Sequence, residues 1–79
     1  MSYLQHIEIN PRILAGKPVI KGTRIPVALV LNLLANGYTV VRILQAYPNL
    51  TKPGVLAAIR YSRERINREM IIPLALVNQ

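Results

Sequence analysis

One long apolar stretch dominates the first half of the chain. Residues 27–36 are apolar at every position except two asparagines, and Gly37 follows as a natural helix stop. The stretch therefore predicts the first helix. Leu29 and Leu33 lie on a different face from the other apolar side chains, so this helix needs cover on two sides. In so short a chain, a second copy of the protein is the simplest way to bury this second face. Leu29 and Leu33 are therefore the predicted dimer interface.

Two more helices are predicted in the second half of the chain. Thr39 is a good N-cap for a helix over 39–47, which Pro48 ends. Thr51 is the next N-cap, and the apolar spacing that follows predicts a third helix over 52–69. Two capped helices joined by a short turn are typical of a helix-turn-helix.

The remaining segments flank these helices. Residues 1–26 are predicted to form short strands and a turn, with residues 12–14 returning as a strand beside residues 7–9. The whole chain, 1–79, is therefore predicted to be a single mainly α domain with a small N-terminal β element and a helix-turn-helix.

Residues 70–79 form an apolar tail. Pro73 excludes this tail from a regular helix interior, and the tail is too short to span a bilayer. It either packs back on the core or extends as an arm that adds to a partner by strand pairing. Its candidate partner-binding residues are Ile71, Ile72, Leu74 and Leu76.

Composition favours an oligomer. The chain has 79 residues, of which 52% are hydrophobic, and it has no cysteine. A domain of this size is marginally stable alone, and disulfides and cysteine metal sites are excluded, so association is the remaining way to bury the apolar surface. The N-terminus lacks the pattern of a signal peptide, and no apolar run is long enough for a membrane span. We therefore expect a cytoplasmic homodimer without membrane contact.

The charge balance favours an anionic partner. Ten Lys and Arg residues oppose three acidic ones, which gives a net charge of +7. Such a balance is typical of nucleic-acid-binding domains, although it can also simply keep an apolar protein soluble.

Basic residues in two regions are candidates for DNA contact. The segment 16–27 combines glycines and prolines with exposed cations, which is typical of a rigid turn beside a helix start. On the third helix, the apolar spacing predicts that Val55, Leu56, Ile59, Ile66 and Met70 face inward, and that the opposite face consists of Gly54, Ala57, Tyr61, Glu64 and Arg68. The small residues Gly54 and Ala57 would let this helix approach a groove closely. Its arginines either enter that groove or form ion pairs on a solvated face, such as Arg60 with Glu64 and Arg65 with Glu69. The predicted phosphate contacts are Lys17, Lys21, Arg24 and Lys52, and the predicted groove contacts are Arg60, Tyr61 and Arg68.

The sequence contains few side chains that could serve in catalysis. His6 is the only histidine and lies in an N-terminal segment that we expect to fray, and the three carboxylate side chains are glutamates that do not converge on one helix face. A metal site needs several converging ligands, and nucleophilic catalysis needs a base beside the nucleophile. We therefore expect no enzyme activity, no metal and no cofactor.

A longer string of residues resembles a known family. Asn10-Pro11-Arg12-Ile13, the run from Gly16 to Val27, and Tyr47-Pro48-Asn49-Leu50-Thr51 resemble the bacterial "domain of unknown function 433" family. The resemblance implies a homeodomain-like three-helix fold and a DNA-binding antitoxin of a type II toxin–antitoxin pair. Its partners would then be operator DNA and a PIN-like ribonuclease toxin.

Two other functions stay open at this point. A protein-interaction module would use the apolar tail and basic face to bind an acidic partner without binding DNA. A single-strand or RNA binder is less favoured, because four tyrosines are the only aromatic residues and provide no stacking platform.

Overall fold

The computed structural model describes the backbone of residues 3–70 and the side chains of residues 3–67. Within them lie a two-stranded antiparallel sheet and three helices, which confirms the predicted mainly α fold with a small N-terminal β element. A 3₁₀ turn at Tyr3–His6 precedes the sheet, and a second one at Leu14–Gly16 lies between its strands. The elements are β1 (Ile7–Glu8), β2 (Val19–Ile20), α1 (Val27–Ala35), α2 (Val40–Ala46) and α3 (Lys52–Met70).

The strand predicted over residues 12–14 is wrong. β1 pairs with β2 instead, with Ile7 opposite Ile20. The backbone amide of Arg12 donates to Oδ1 of Asn10 at 2.9 Å, which turns the chain away from β1. Leu14 then has a φ of +48°, a left-handed conformation that a strand does not contain.

A tight hairpin connects β2 to α1. The amide of Ile20 donates to the carbonyl of Ile25 at 3.0 Å, and the Oγ1 of Thr23 donates to the carbonyl of Ile20 at 2.7 Å. Gly22 has a φ of +81°, which lets the chain reverse without steric cost. We call residues 21–24 the hairpin turn.

Both ends of α1 are closed by backbone hydrogen bonds. At its start, the amide of Val27 donates to the carbonyl of Pro18 at 3.0 Å, so a donor that a helix leaves unpaired is satisfied by the hairpin. At its end, Gly37 has a φ of +91°, and the amide of Tyr38 donates to the carbonyl of Leu33 at 3.0 Å. These features form a Schellman motif, which fixes the direction of the chain into α2.

The two threonines that the sequence marks as caps both lie at helix starts. Thr39 Oγ1 accepts from the amide of Arg42 at 3.1 Å, and Thr51 Oγ1 accepts from the amide of Gly54 at 3.2 Å. Each bond satisfies one of the unpaired donors in the first turn of its helix. The start of α3 is therefore fixed relative to the turn before it.

The core lies where α3 meets β2, α1 and α2. Ile43, Val30 and Val55 are fully buried in this core. None of the described helices is long and apolar enough to cross a membrane. The N-terminal 3₁₀ turn and β1 also pack against α3, so α3 contacts both strands and both other helices. The buried residues of the core are Val19, Ile20, Val27, Val30, Ile43, Leu50, Val55, Ala57 and Ala58.

Candidate nucleic-acid interface

One face of α3 is exposed and basic. At about 100° per residue, positions 52, 59, 60, 63 and 67 project from the same side of the helix. All of them are exposed, Leu56 on the same side is half-buried, and Gly54, Ala57 and Ala58 on the opposite side are buried. We call this surface the outer face of α3, and it consists of Lys52, Ile59, Arg60, Arg63 and Asn67.

The cations of this face are not neutralised by neighbouring carboxylates. Lys52, Arg60 and Arg63 form no ion pair with another residue whose side chain the structure describes. The expected ion pair between Arg60 and Glu64 is therefore absent, whereas the other expected pair, Arg65 with Glu69, includes a residue that lies outside the described side chains. The outer face can present three positive charges to an anionic partner.

Some α3 residues that were predicted from the sequence to face outward lie on the inner face of the helix. Gly54 and Ala57 were expected to let α3 approach a groove closely, yet both are buried in the core. Tyr61, a predicted groove contact, is half-buried and packs against the core cluster. Conversely, Ile59 and Ile66 were expected inside but are 38% and 53% exposed. Small residues face inward because they let other backbones approach α3.

Arg63 and Asn67 are the site residues that sequence reasoning missed. Arg63 lies three positions after Arg60, and Asn67 lies four positions after Arg63, so the three are neighbours on the helix surface. Counting helical positions from Lys52 would have found this stripe. The prediction instead assumed that the larger apolar side chains are buried, and this assumption gave α3 a different orientation.

The hairpin turn lies near the start of α3. A Cβ on Gly54 would lie 3.1 Å from Cγ2 of Ile20, so β2 and the first turn of α3 are in close contact at this point. Lys21 follows Ile20 directly, and both Lys21 and Arg24 are exposed. This contact therefore brings the cations of the hairpin turn to the same end of the molecule as Lys52.

The other predicted site residues occupy varied positions. Lys17 is exposed, and Leu29 and Leu33 of the predicted dimer interface are partly buried. The predicted contacts Arg68, Ile71, Ile72, Leu74 and Leu76 lie outside the residues whose side chains are described. On α2, the guanidinium carbon of Arg42 lies 4.6 Å from the centre of the Tyr38 ring, a cation–π contact.

His6 does not lie in a frayed terminus, contrary to our expectation. It is partly buried, and its carbonyl accepts from the amide of Lys21 at 2.8 Å. Among the described residues, no three His, Cys, Asp or Glu side chains lie close enough together to hold a metal ion.

Comparison with known proteins places the chain in a family. The profile described as "Protein of unknown function (DUF433)" matches residues 7–62, which include the hairpin turn and the first part of α3. The chain belongs to the DUF433 family. The match supplies no activity, because the family description itself states none.

Two known proteins are similar to this DUF433 chain. The uncharacterized protein y4eO of Sinorhizobium fredii is 42% identical over 53 residues, which are 67% of this chain and 24% of that protein. The DUF433 chain thus spans about a quarter of that relative's length. A crystal structure of a DUF433 member from Anabaena variabilis has a TM-score of 0.71 and 32% identity, covering 89% of this chain and 76% of that one.

Proposed function

We propose that this DUF433 protein is a cytoplasmic, non-catalytic regulator that binds double-stranded DNA through the outer face of α3. The observation that carries the proposal is the alignment of Lys52, Arg60 and Arg63 on one exposed helix face, without ion pairs to described residues. Unneutralised cations on one surface are the electrostatic footprint of a nucleic-acid-binding domain.

The dimensions of this face fit a duplex. Lys52 and Arg63 are separated by roughly 16 Å along the helix axis at 1.5 Å per residue. A major groove about 12 Å wide admits an α-helix, and its walls are lined with phosphates. Arg60, Arg63 and Asn67 would then face base edges or phosphates, while Lys21 and Arg24 of the hairpin turn would contact the backbone next to the helix start.

The arrangement of α2 and α3 supports a helix-turn-helix form of this binding. α2 is capped by Thr39, the chain turns over residues 47–51, and α3 begins after Thr51. In such motifs the second helix lies in the groove, and dimers bind half-sites separated by one or more turns of DNA. Leu29 on α1 is the proposed contact between the two copies.

The family resemblance extends the proposal to an antitoxin that represses its own operon and neutralises a PIN-like ribonuclease. An antitoxin needs a surface for DNA and a surface for its toxin, and the exposed apolar side chain of Val41 lies on α2, outside the outer face of α3. Co-expression with the product of the adjacent gene tests this extension. A stoichiometric complex and loss of ribonuclease activity are expected, whereas an uninhibited neighbour would contradict it.

A protein-interaction module is the alternative that one observation favours. Ile59 is 38% exposed at one edge of the outer face, beside Lys52 and Arg63 on the helix surface. An apolar side chain among cations also suits an acidic, partly apolar protein surface. Stable complex formation with a protein and no binding to any duplex would support this alternative over DNA binding.

The test of DNA binding is affinity against salt concentration. The full chain is titrated with a duplex from the region upstream of its gene and with an unrelated duplex of equal length. We expect log K to fall linearly with log salt, with a slope of about −0.9 for each phosphate neutralised. Arg63→Ala should reduce the magnitude of that slope by about one if Arg63 contacts a phosphate, and should relax sequence preference if it contacts a base.

Arg12→Ala is the matched control, because Arg12 is an exposed arginine outside both α3 and the hairpin turn. It removes the same charge from the molecule without changing the proposed interface. A loss equal to that of Arg63→Ala would mean that net charge alone drives binding. Absence of binding by the folded parent protein at low salt would overturn the proposal.

A further inference from the structure

A groove between α1 and α3 has no occupant among the described residues. It is a shallow groove of about 340 Å³, largely open to solvent, and lies between the first half of α1 and the second half of α3. Ser62 and Arg65 line part of it, and its apolar lining residues are Pro18, Val27, Ala28, Leu31, Tyr61 and Ile66. A concave and mostly apolar surface of this size is typical of a binding site rather than of a solvated surface.

The position of the groove relative to the end of α3 points to its occupant. Ile66 lines the groove, is 53% exposed, and lies one helical turn before Met70, where α3 ends. The chain therefore leaves α3 close to one end of the groove. The next residues, 71–77, read Ile-Ile-Pro-Leu-Ala-Leu-Val and carry no charge.

We propose that residues 71–77 of the same chain fold back into this groove. The path from Met70 back to Ser62 is roughly 12 Å along α3, and seven extended residues reach about 23 Å. Pro73 cannot lie in a helix interior and disfavours helical backbone at Ile72, which places a break where the chain must reverse. Leu74 and Leu76 alternate, so both project to one side of an extended segment.

Docking in the same molecule is favoured over docking in a second copy by the short connection. Leu74 is four residues from Met70, and a short tether gives an effective concentration in the millimolar range. A segment from another molecule would have to compete against that concentration. This inference concerns a different surface from the outer face of α3 and does not depend on DNA binding.

The absence of cysteine in the sequence makes the proposal directly testable. A pair of substitutions, Ala28→Cys at the groove rim and Ala75→Cys in the segment, is oxidised mildly in dilute full-length protein. The control pair combines Ala75→Cys with Val41→Cys, because Val41 is 65% exposed on α2 and does not line the groove. Non-reducing electrophoresis separates internal disulfides from covalent dimers.

We expect an internal disulfide to form roughly tenfold or more faster in the groove pair than in the control pair. Adding Leu76→Asn to the groove pair should return the rate to that of the control, because the substitution removes an apolar contact without changing the tether. Equal rates in the two pairs would overturn the proposal. Predominant covalent dimers in the groove pair would also overturn it, since they would place the segment in a second copy.

Discussion

Gly22 is the residue on which the hairpin turn depends most directly. Its φ of +81° lies in the left-handed region, and a Cβ built there would meet no atom within 4 Å. Steric conflict with neighbours is therefore not the reason for glycine at this position. The reason is backbone conformation, which costs a residue with a Cβ about 1–2 kcal/mol.

Gly22→Ala should accordingly lower the free energy of unfolding by about 1 kcal/mol, because part of the strain is offset by the reduced freedom of the unfolded chain. Urea unfolding followed by circular dichroism measures this change. Gly22→Asn is the matched control, since asparagine tolerates left-handed backbone better than alanine does, and it should lose less. An alanine variant as stable as the parent would show that the turn adopts another conformation.

Residues that act locally were predictable from the sequence. Gly37 was expected to stop a helix, and Thr39 and Thr51 were expected to cap the next two. Each of these roles depends on the chemistry of one residue and its immediate neighbours. Leu14 and Ala15 were not predictable in the same way, because their positive φ values of 48° and 56° are not preferred by either residue type.

At the scale of single elements, α2 is the helix most dependent on its cap. It spans Val40–Ala46, which is far shorter than a helix that is stable alone in water. Its stability must come from the packing of Ile43 in the core and from the bond that Thr39 accepts from the amide of Arg42. The loss of either contact should therefore affect the whole domain.

Thr39→Ala should lower the free energy of unfolding by about 1 kcal/mol. For a domain of this size such a loss corresponds to a decrease in Tm of roughly 4–8 °C. Thr39→Ser keeps the hydroxyl acceptor and should stay close to the parent. Thermal unfolding of the three proteins gives the comparison, and equal Tm values for the alanine and serine variants would contradict the capping role.

The buried face of α3 could not be predicted from the sequence. The helix carries larger apolar residues such as Leu56, Ile59 and Ile66 on one side, and the small residues Gly54, Ala57 and Ala58 on another. Hydrophobicity alone favours burying the larger set. The structure buries the smaller set because β2 approaches α3 closely, as the contact between Ile20 and Gly54 shows. That choice depends on the partner element, which helical periodicity does not specify.

At the scale of the whole molecule, we expect two copies of the chain to associate. Leu33 packs against the core cluster of its own chain, whereas Leu29 is partly buried and is not among the described residues that pack on that cluster. Leu29 is therefore the better candidate for contact with a second copy. A chain of this size with 52% hydrophobic residues gains stability from such burial.

Leu29→Asn should convert a dimer into a folded monomer, because the substitution places a polar amide in the proposed apolar contact. Sedimentation equilibrium measures the mass, and circular dichroism checks that the fold persists. Val41→Asn is the control, since Val41 is 65% exposed on α2 and should leave the mass unchanged. A monomeric parent protein, or a Leu29→Asn variant that stays dimeric, would refute this interface.

The pairing of sheet strands was also beyond local sequence reasoning. Residues 7–9 and 12–14 are close in sequence and both suit short strands, which made a local hairpin the simplest prediction. β1 instead pairs with β2, so that Ile7 lies opposite Ile20, and the intervening residues turn outward at Asn10. The overall arrangement therefore depends on contacts between distant segments, which a residue-by-residue pattern does not encode.

The packing of the N-terminal 3₁₀ turn and β1 against α3 has a consequence for how the domain forms during synthesis. Ile7 and Glu8 can pair with β2 before α3 is synthesised, because both strands precede α3 along the chain. Their other contact surface is α3, which is the last of these elements to be synthesised. Long-range contacts of this kind form late because loop closure precedes their gain. Residues 3–8 are thus among the last parts of the described fold to reach their final environment.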